Sequence, residues 1–77
     1  DGHRVDVAGN VWSGSTSVPG YMGVTVWNPA GKLIGRIRLP ETCANLCFCG
    51  PKRDWLFMCA SQSVYLVRVG IQGAGAA

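Results

Sequence analysis

The chain has 77 residues and a formal net charge of +3, with 48% hydrophobic and only 14% charged residues, a balance that excludes disorder and asks for burial on several sides. One domain at most fits this length, and such a globule hides only roughly 60% of its unfolded surface, so a lone core would be marginal without disulfides, a metal or assembly. Arg4, Lys32, Arg36, Arg38, Lys52, Arg53 and Arg68 stand against Asp1, Asp6, Glu41 and Asp54, scattered and without the basic clusters and interleaved aromatics of a nucleic-acid footprint.

No apolar stretch approaches the ~20 residues that span a bilayer, and the start lacks a basic segment followed by an apolar one. The expectation is a soluble chain with neither nucleic acid nor membrane as partner. It begins at Asp1 rather than Met, which suggests upstream sequence that was removed or lies elsewhere.

No run repeats apolar residues at helical spacing over the ten or so positions a helix requires, so the predicted class is all-β. Arg4 to Val7 and Val11 to Gly14 flank Ala8-Gly9-Asn10, a tight hairpin signal. A Gly/Ser/Pro-rich loop runs from Ser13 to Gly20, and loops of this kind, here followed by Tyr21 and Met22, often shape pockets. In Gly23 to Asn28, Val24 and Val26 share one face, with Thr25 and Trp27 on the other. Asn28-Pro29-Ala30-Gly31 is a turn in which Gly31 takes a left-handed position. Leu33 to Leu39 returns as a half-wet strand, with Arg36 and Arg38 opposite Ile37 and Leu39. Pro40 stops it, since proline cannot donate to a ladder.

The pattern restarts at Ala44 to Cys49, with Leu46 and Phe48 on one face. A polar turn, Gly50 to Asp54, leads to Trp55 to Ala60, apolar on both faces, and then to Val64 to Val69. The small residues from Gly70 to Ala77 offer no reason for order. Four strands, a proline break and three strands describe a complete propeller blade over 1–40, three strands of a terminal blade over 41–69 and a flexible tail over 70–77. A seven-stranded sandwich competes, but the immunoglobulin type needs a Cys…Trp…Cys framework that these closely spaced cysteines do not supply.

The segment Asp1-Gly2-His3-Arg4-Val5-Asp6-Val7-Ala8-Gly9-Asn10-Val11-Trp12 resembles the start of a late blade in the senescence-marker-protein/gluconolactonase family of six-bladed propeller lactonases. The likeness continues through Val24-Thr25-Val26-Trp27-Asn28-Pro29, Gly31-Lys32-Leu33-Ile34 and Leu39-Pro40. It runs on to Thr42, Asn45, Leu46, Phe48 and Gly50, and to Ser63-Val64-Tyr65-Leu66-Val67.

The resemblance implies the C-terminal portion of a hydrolase that opens sugar lactones with one divalent cation, calcium or zinc. It carries the family's aspartate ligand over to Asp1, which would serve as both metal ligand and base, a sensible double use of one carboxylate. The glutamate and asparagine ligands would come from blades outside this chain, which alone should be inactive. The implied partners are the remainder of the propeller or identical copies. The alternatives are a non-catalytic binding or scaffold propeller and a self-assembling two-blade unit, three copies of which would close a ring.

Among individual residues, His3 is a candidate substrate contact, although a histidine beside a strand is more often structural. Asp6 is expected to cap its turn, and Trp12, Trp27 and Trp55 to pack in cores or between blades. Asn45 is read as polar bracing. Cys43, Cys47, Cys49 and Cys59 lack the two-residue gap of zinc knuckles and are read as small hydrophobes in a reducing compartment. That favours the cytoplasm, with periplasm and secretion left open.

Overall fold

The computed structural model describes residues 2–15 and 22–75. Their strands are β1 (His3–Val5), β2 (Val11–Ser15), β3 (Gly23–Trp27), β4 (Leu33–Arg38), β5 (Cys43–Cys49), β6 (Trp55–Ala60) and β7 (Val64–Arg68). The first four form one antiparallel meander in chain order and the last three another. Four strands and then three is the arrangement expected from the sequence.

Turn chemistry explains where the chain reverses. In the β1–β2 hairpin, the Gly9 N–H donates to the Asp6 carbonyl and the Asp6 N–H to the Asn10 carbonyl, both at 3.0 Å. In the β3–β4 turn Gly31 has φ of 85°, a left-handed value that a side chain would disfavour. Asn28 Oδ1 accepts there from the N–H groups of Ala30 at 3.0 Å and Lys32 at 2.9 Å.

The period-2 alternation then builds the core. Trp12 lies beside Val26 and Val24 beside Ile37 in the first sheet, and Leu46 beside Met58 and Phe48 beside Leu56 in the second. These two faces meet in one cluster of Trp12, Val24, Val26, Cys43, Leu46, Phe48, Leu56 and Met58, with Ile37, Leu39, Tyr65, Val69 and Ile71 at its margin. Each fully buried Leu or Met in it contributes about 1.5–3 kcal/mol relative to exposure. Trp12 and Phe48 join the sheets edge to face, with ring centroids 5.4 Å apart and planes at 77°.

The backbones of the two sheets approach most closely where β1 and β2 meet β5. There the Gly2 N–H donates across the seam to the Ala44 carbonyl at 3.1 Å, while the Gly2 carbonyl accepts from the Gly14 N–H at 2.9 Å.

Residues 70–75 depart from the flexible tail expected of them. Val7 N–H donates to the Gln72 carbonyl, Ala74 N–H to the Val5 carbonyl and Gly73 N–H to the Arg53 carbonyl, each at 2.9 Å. The reason is unmet backbone demand: Val5 and Val7 lie beside the partner-free edge of β1, and their polar groups need partners. Asp6, still bonded to Asn10 across the hairpin, bridges Gly73 on its other side, and β1 ends at Val5, two residues before its predicted limit.

The faces turned away from the core remain open. Val5 and Trp27 on the first sheet, and Val64 and Leu66 on the second, are large exposed hydrophobics. The outer face of the second sheet also carries Cys47, Phe57, Cys49 and Trp55, by the register of β5 and β6.

Candidate functional site

Asp1, the candidate ligand and base, lies outside the described residues, and so does Tyr21. The structure does place Gly2, the residue covalently joined to Asp1, and its surroundings define the candidate site. The pairing of β5 with β6 shifts register between Cys43 and Asn45, which leaves Ala44 without a β6 partner and frees its carbonyl for Gly2. Such a bulge re-aims the side chain that follows it.

That side chain is Asn45. Its Oδ1 accepts from the Leu46 N–H at 2.9 Å, which settles the orientation of the amide. Oδ1 and Cγ of Asn45 then fill the space where a β-carbon at Gly2 would lie, with Cγ only 2.7 Å from that position. A side chain at Gly2 would therefore have to displace the exposed Asn45 amide, so glycine is the residue that leaves this contact undisturbed. Sequence reasoning assigned Asn45 to bracing but could not name what it braces, because the two residues come from different sheets.

Strand alternation sends His3 to the opposite face. It is exposed and lines an open groove of about 740 Å³ with Val5, Val11, Ser13, Trp27 and Pro29. The structure therefore does not bring His3 to Asn45.

Asp6 is buried and fully engaged. Oδ1 accepts from the N–H groups of Ala8 at 2.9 Å and Asn10 at 3.0 Å, and Oδ2 from Asn10 Nδ2 and Trp12 Nε1, each at 2.9 Å. Burial opposes its charge, but the bonds from Trp12, Asn10 and Ala8 outweigh that and hold the carboxyl below its usual value. With its oxygens so occupied it serves the turn, as expected, and not a ligand.

Glu41 is a second engaged carboxylate that the sequence did not flag. It accepts from the Gln62 N–H at 2.6 Å and the Tyr65 hydroxyl at 2.9 Å. These bonds, Gln62 first and Tyr65 next, lower its pKa, and the same Glu41 bond raises that of Tyr65.

The four thiols are free. Cys43 is buried, its Sγ donates to the Asn45 carbonyl at 3.3 Å, and burial pushes its pKa up. Among the described residues no three His, Cys, Asp or Glu side chains gather to hold a metal ion. The described residues thus do not make a metal centre by themselves. Among them, too, no helix is long and apolar enough to cross a membrane.

The family model of the SMP-30/gluconolactonase/LRE-like region matches residues 1–62, which include the whole first sheet, β5 and β6. The chain belongs to the SMP-30/gluconolactonase/LRE-like family. Its fold is similar to the X-ray structure of a presumed gluconolactonase, with a TM-score of 0.87 and 34% identity over 99% of this chain. The gluconolactonase-like chain spans 24% of that structure's length. No curated protein matches it. The two sheets are accordingly a four-stranded blade and a three-stranded partial blade of a β-propeller.

Proposed function

We propose that this chain is the C-terminal part of a sugar-lactone hydrolase of the gluconolactonase type, inactive alone and completed by the remaining blades of a propeller. The observation that carries the reading is the family match from residue 1 to 62, which takes in the Asp1-Gly2 pair. The solved relative, a presumed gluconolactonase, supports the same reaction class.

In this reading Asp1 is the one residue of the chain that ligates a divalent cation, calcium or zinc, and its carboxylate also takes the proton of the attacking water. The remaining ligands lie on blades outside the chain. When bound, the cation would polarise the lactone carbonyl. The chain's own part is to fix Asp1 through Gly2, which is held at both its N–H and its carbonyl. His3 is a substrate contact only if its groove stays open beside the neighbouring blade. The compartment we favour is the cytoplasm, on the four free thiols.

The test is hydrolysis of an aldonolactone by the complete propeller carrying this chain, after chelation and on return of calcium or zinc. Metal-dependent turnover, lowered at least about 100-fold by Asp1→Ala, is the expected result. Absence of turnover with either metal would overturn the reading.

A second reading draws on the exposed Val5, Trp27, Val64 and Leu66. Identical copies would cover both outer faces and close a ring. A native mass of one chain at micromolar concentration excludes it.

A further inference from the structure

We propose that the outer face of the first sheet is the seat of a further blade of the propeller chain, one that presents an apolar side chain to Trp27 and a carboxylate to Arg36 and Arg38. The inference rests on the reading above that further blades complete this chain, and not on the lactone chemistry. It starts from Trp27, whose indole is pinned although the residue is 39% exposed. Its Nε1 donates to Thr25 Oγ1 at 3.2 Å. Thr25, only 7% exposed, shares a further bond of 3.1 Å with the Ser15 hydroxyl.

The pinned indole forms an open groove with Val5, Val11, Pro29, Ser13 and His3. An aromatic side chain whose polar atom is satisfied and whose ring stays uncovered suits the centre of an interface, where such residues carry most of the binding energy.

The face changes character across Thr25. Cross-strand register aligns His3, Ser13, Thr25 and Arg36 in one row, and Ser15, Gly23 and Arg38 in the next, on the side away from Trp27. Both arginines are exposed. The face thus offers an apolar groove at one end and two cations at the other, and its complement is an apolar side chain beside a carboxylate.

The described carboxylates of this chain are committed elsewhere. Asp6 serves its turn, Glu41 holds Gln62 and Tyr65, and Asp54 pairs with Arg68 at 3.3 Å. A second copy is unsuited for the same reason. Its second sheet would present Cys49, Trp55 and Arg68 in one row and Cys47, Phe57 and Leu66 in the next, bringing thiols, apolar groups and another arginine. This chain spans 24% of the solved relative's length, so in a protein of that length most of the sheets lie outside it and can supply the acidic partner. His3 then works at a seam between blades and not against substrate.

The experiment uses the complete propeller. His3→Cys places a thiol in the groove. Its maleimide labelling in the folded protein, located by peptide mapping, should run at least about tenfold slower than in the unfolded chain, an opening cost of about 1.4 kcal/mol. Arg38→Glu should lower the melting temperature more than Arg38→Ala, because it sets like charges together, and added salt should narrow that gap. If His3→Cys does not fold, Ser13→Cys, in the same groove, takes its place.

Labelling at the unfolded rate overturns the inference, and so does equal melting of Arg38→Glu and Arg38→Ala. Slow labelling confined to a native mass of two or more chains assigns the face to a second copy and overturns it as well. A propeller without lactone turnover refutes the proposed activity, while labelling and melting still decide the seam.

Discussion

The indole Nε1 of Trp12 donates to Asp6 Oδ2 at 2.9 Å, so a turn carboxylate and the largest core side chain of the first sheet orient each other. Trp12 in turn meets Phe48 of the second sheet edge to face. Asp6 thus stands behind the packing of both sheets, although it belongs to a hairpin loop.

Replacing Asp6 with alanine removes four hydrogen bonds and leaves the indole N–H buried without its acceptor. A loss of about 3 kcal/mol is expected, because bonds to charged groups and orphaned buried donors each cost more than an ordinary hydrogen bond. Urea denaturation followed by tryptophan fluorescence measures it. A loss near zero would show that the turn and indole repack freely.

Acid stability follows from the same carboxyl. Its folded pKa is lowered, so its contribution is present above the unfolded value of about 3.9 and disappears as pH falls through the folded value. Glu41, also lowered, acts in the same direction. Asp6→Asn should therefore flatten, without abolishing, the fall in stability between neutral and acid pH. An unchanged slope would assign the acid sensitivity to Glu41 or to other groups.

Tyr65 titrates upward because its hydroxyl donates to Glu41, the leading cause, with burial and the Glu41 charge adding to it. Glu41→Gln removes the negative acceptor, and the tyrosinate absorbance of Tyr65 should then appear at lower pH. Tyr21 supplies the other phenol, so the comparison is made in a Tyr21→Phe background.

Gly73 lies where an added β-carbon would sit 2.5 Å from Cβ and Cγ of Phe48. Gly73→Ala should cost about 1–3 kcal/mol, the range for overpacking. The melting temperature of the variant checks this, and wild-type melting would mean that the terminal segment moves aside cheaply.

Native thiol labelling should leave Cys43 for last. It is buried and its thiol pKa is raised, whereas Cys47, Cys49 and Cys59 are only half-buried. Early modification of Cys43 in the folded protein, located by peptide mapping, would contradict the placement of β5.

The strand order was legible because alternation and turns are local signals. Val24 and Val26 against Thr25 and Trp27, or Leu46 and Phe48 ahead of Gly50, declare a face and a stop within a few residues. The capping role of Asp6 was legible for the same reason, since Ala8 and Asn10 are its near neighbours. Its bond to Trp12 was not, because nothing in the spacing tells which core indole will turn toward a loop. The candidate site was harder still. Asn45 and Gly2 are far apart in the chain, and their contact depends on a bulge that no residue type announces. Gly70 to Gly75 looked unstructured because small residues bring few side-chain contacts, yet their backbone groups were what the edge of β1 lacked.

The stitch of Gln72, Gly73 and Ala74 onto Val5 and Val7 has an entropic meaning. It joins points separated by almost the whole chain, whereas every other ladder pairs strands adjacent in sequence. Loop closure of that length carries a larger entropic cost than the hairpins do, so the stitch is favoured once the two sheets share their core. The Val7 and Ala74 amides are therefore natural reporters of docking. Their protection from exchange reports how firmly the two sheets hold together as one cooperative unit.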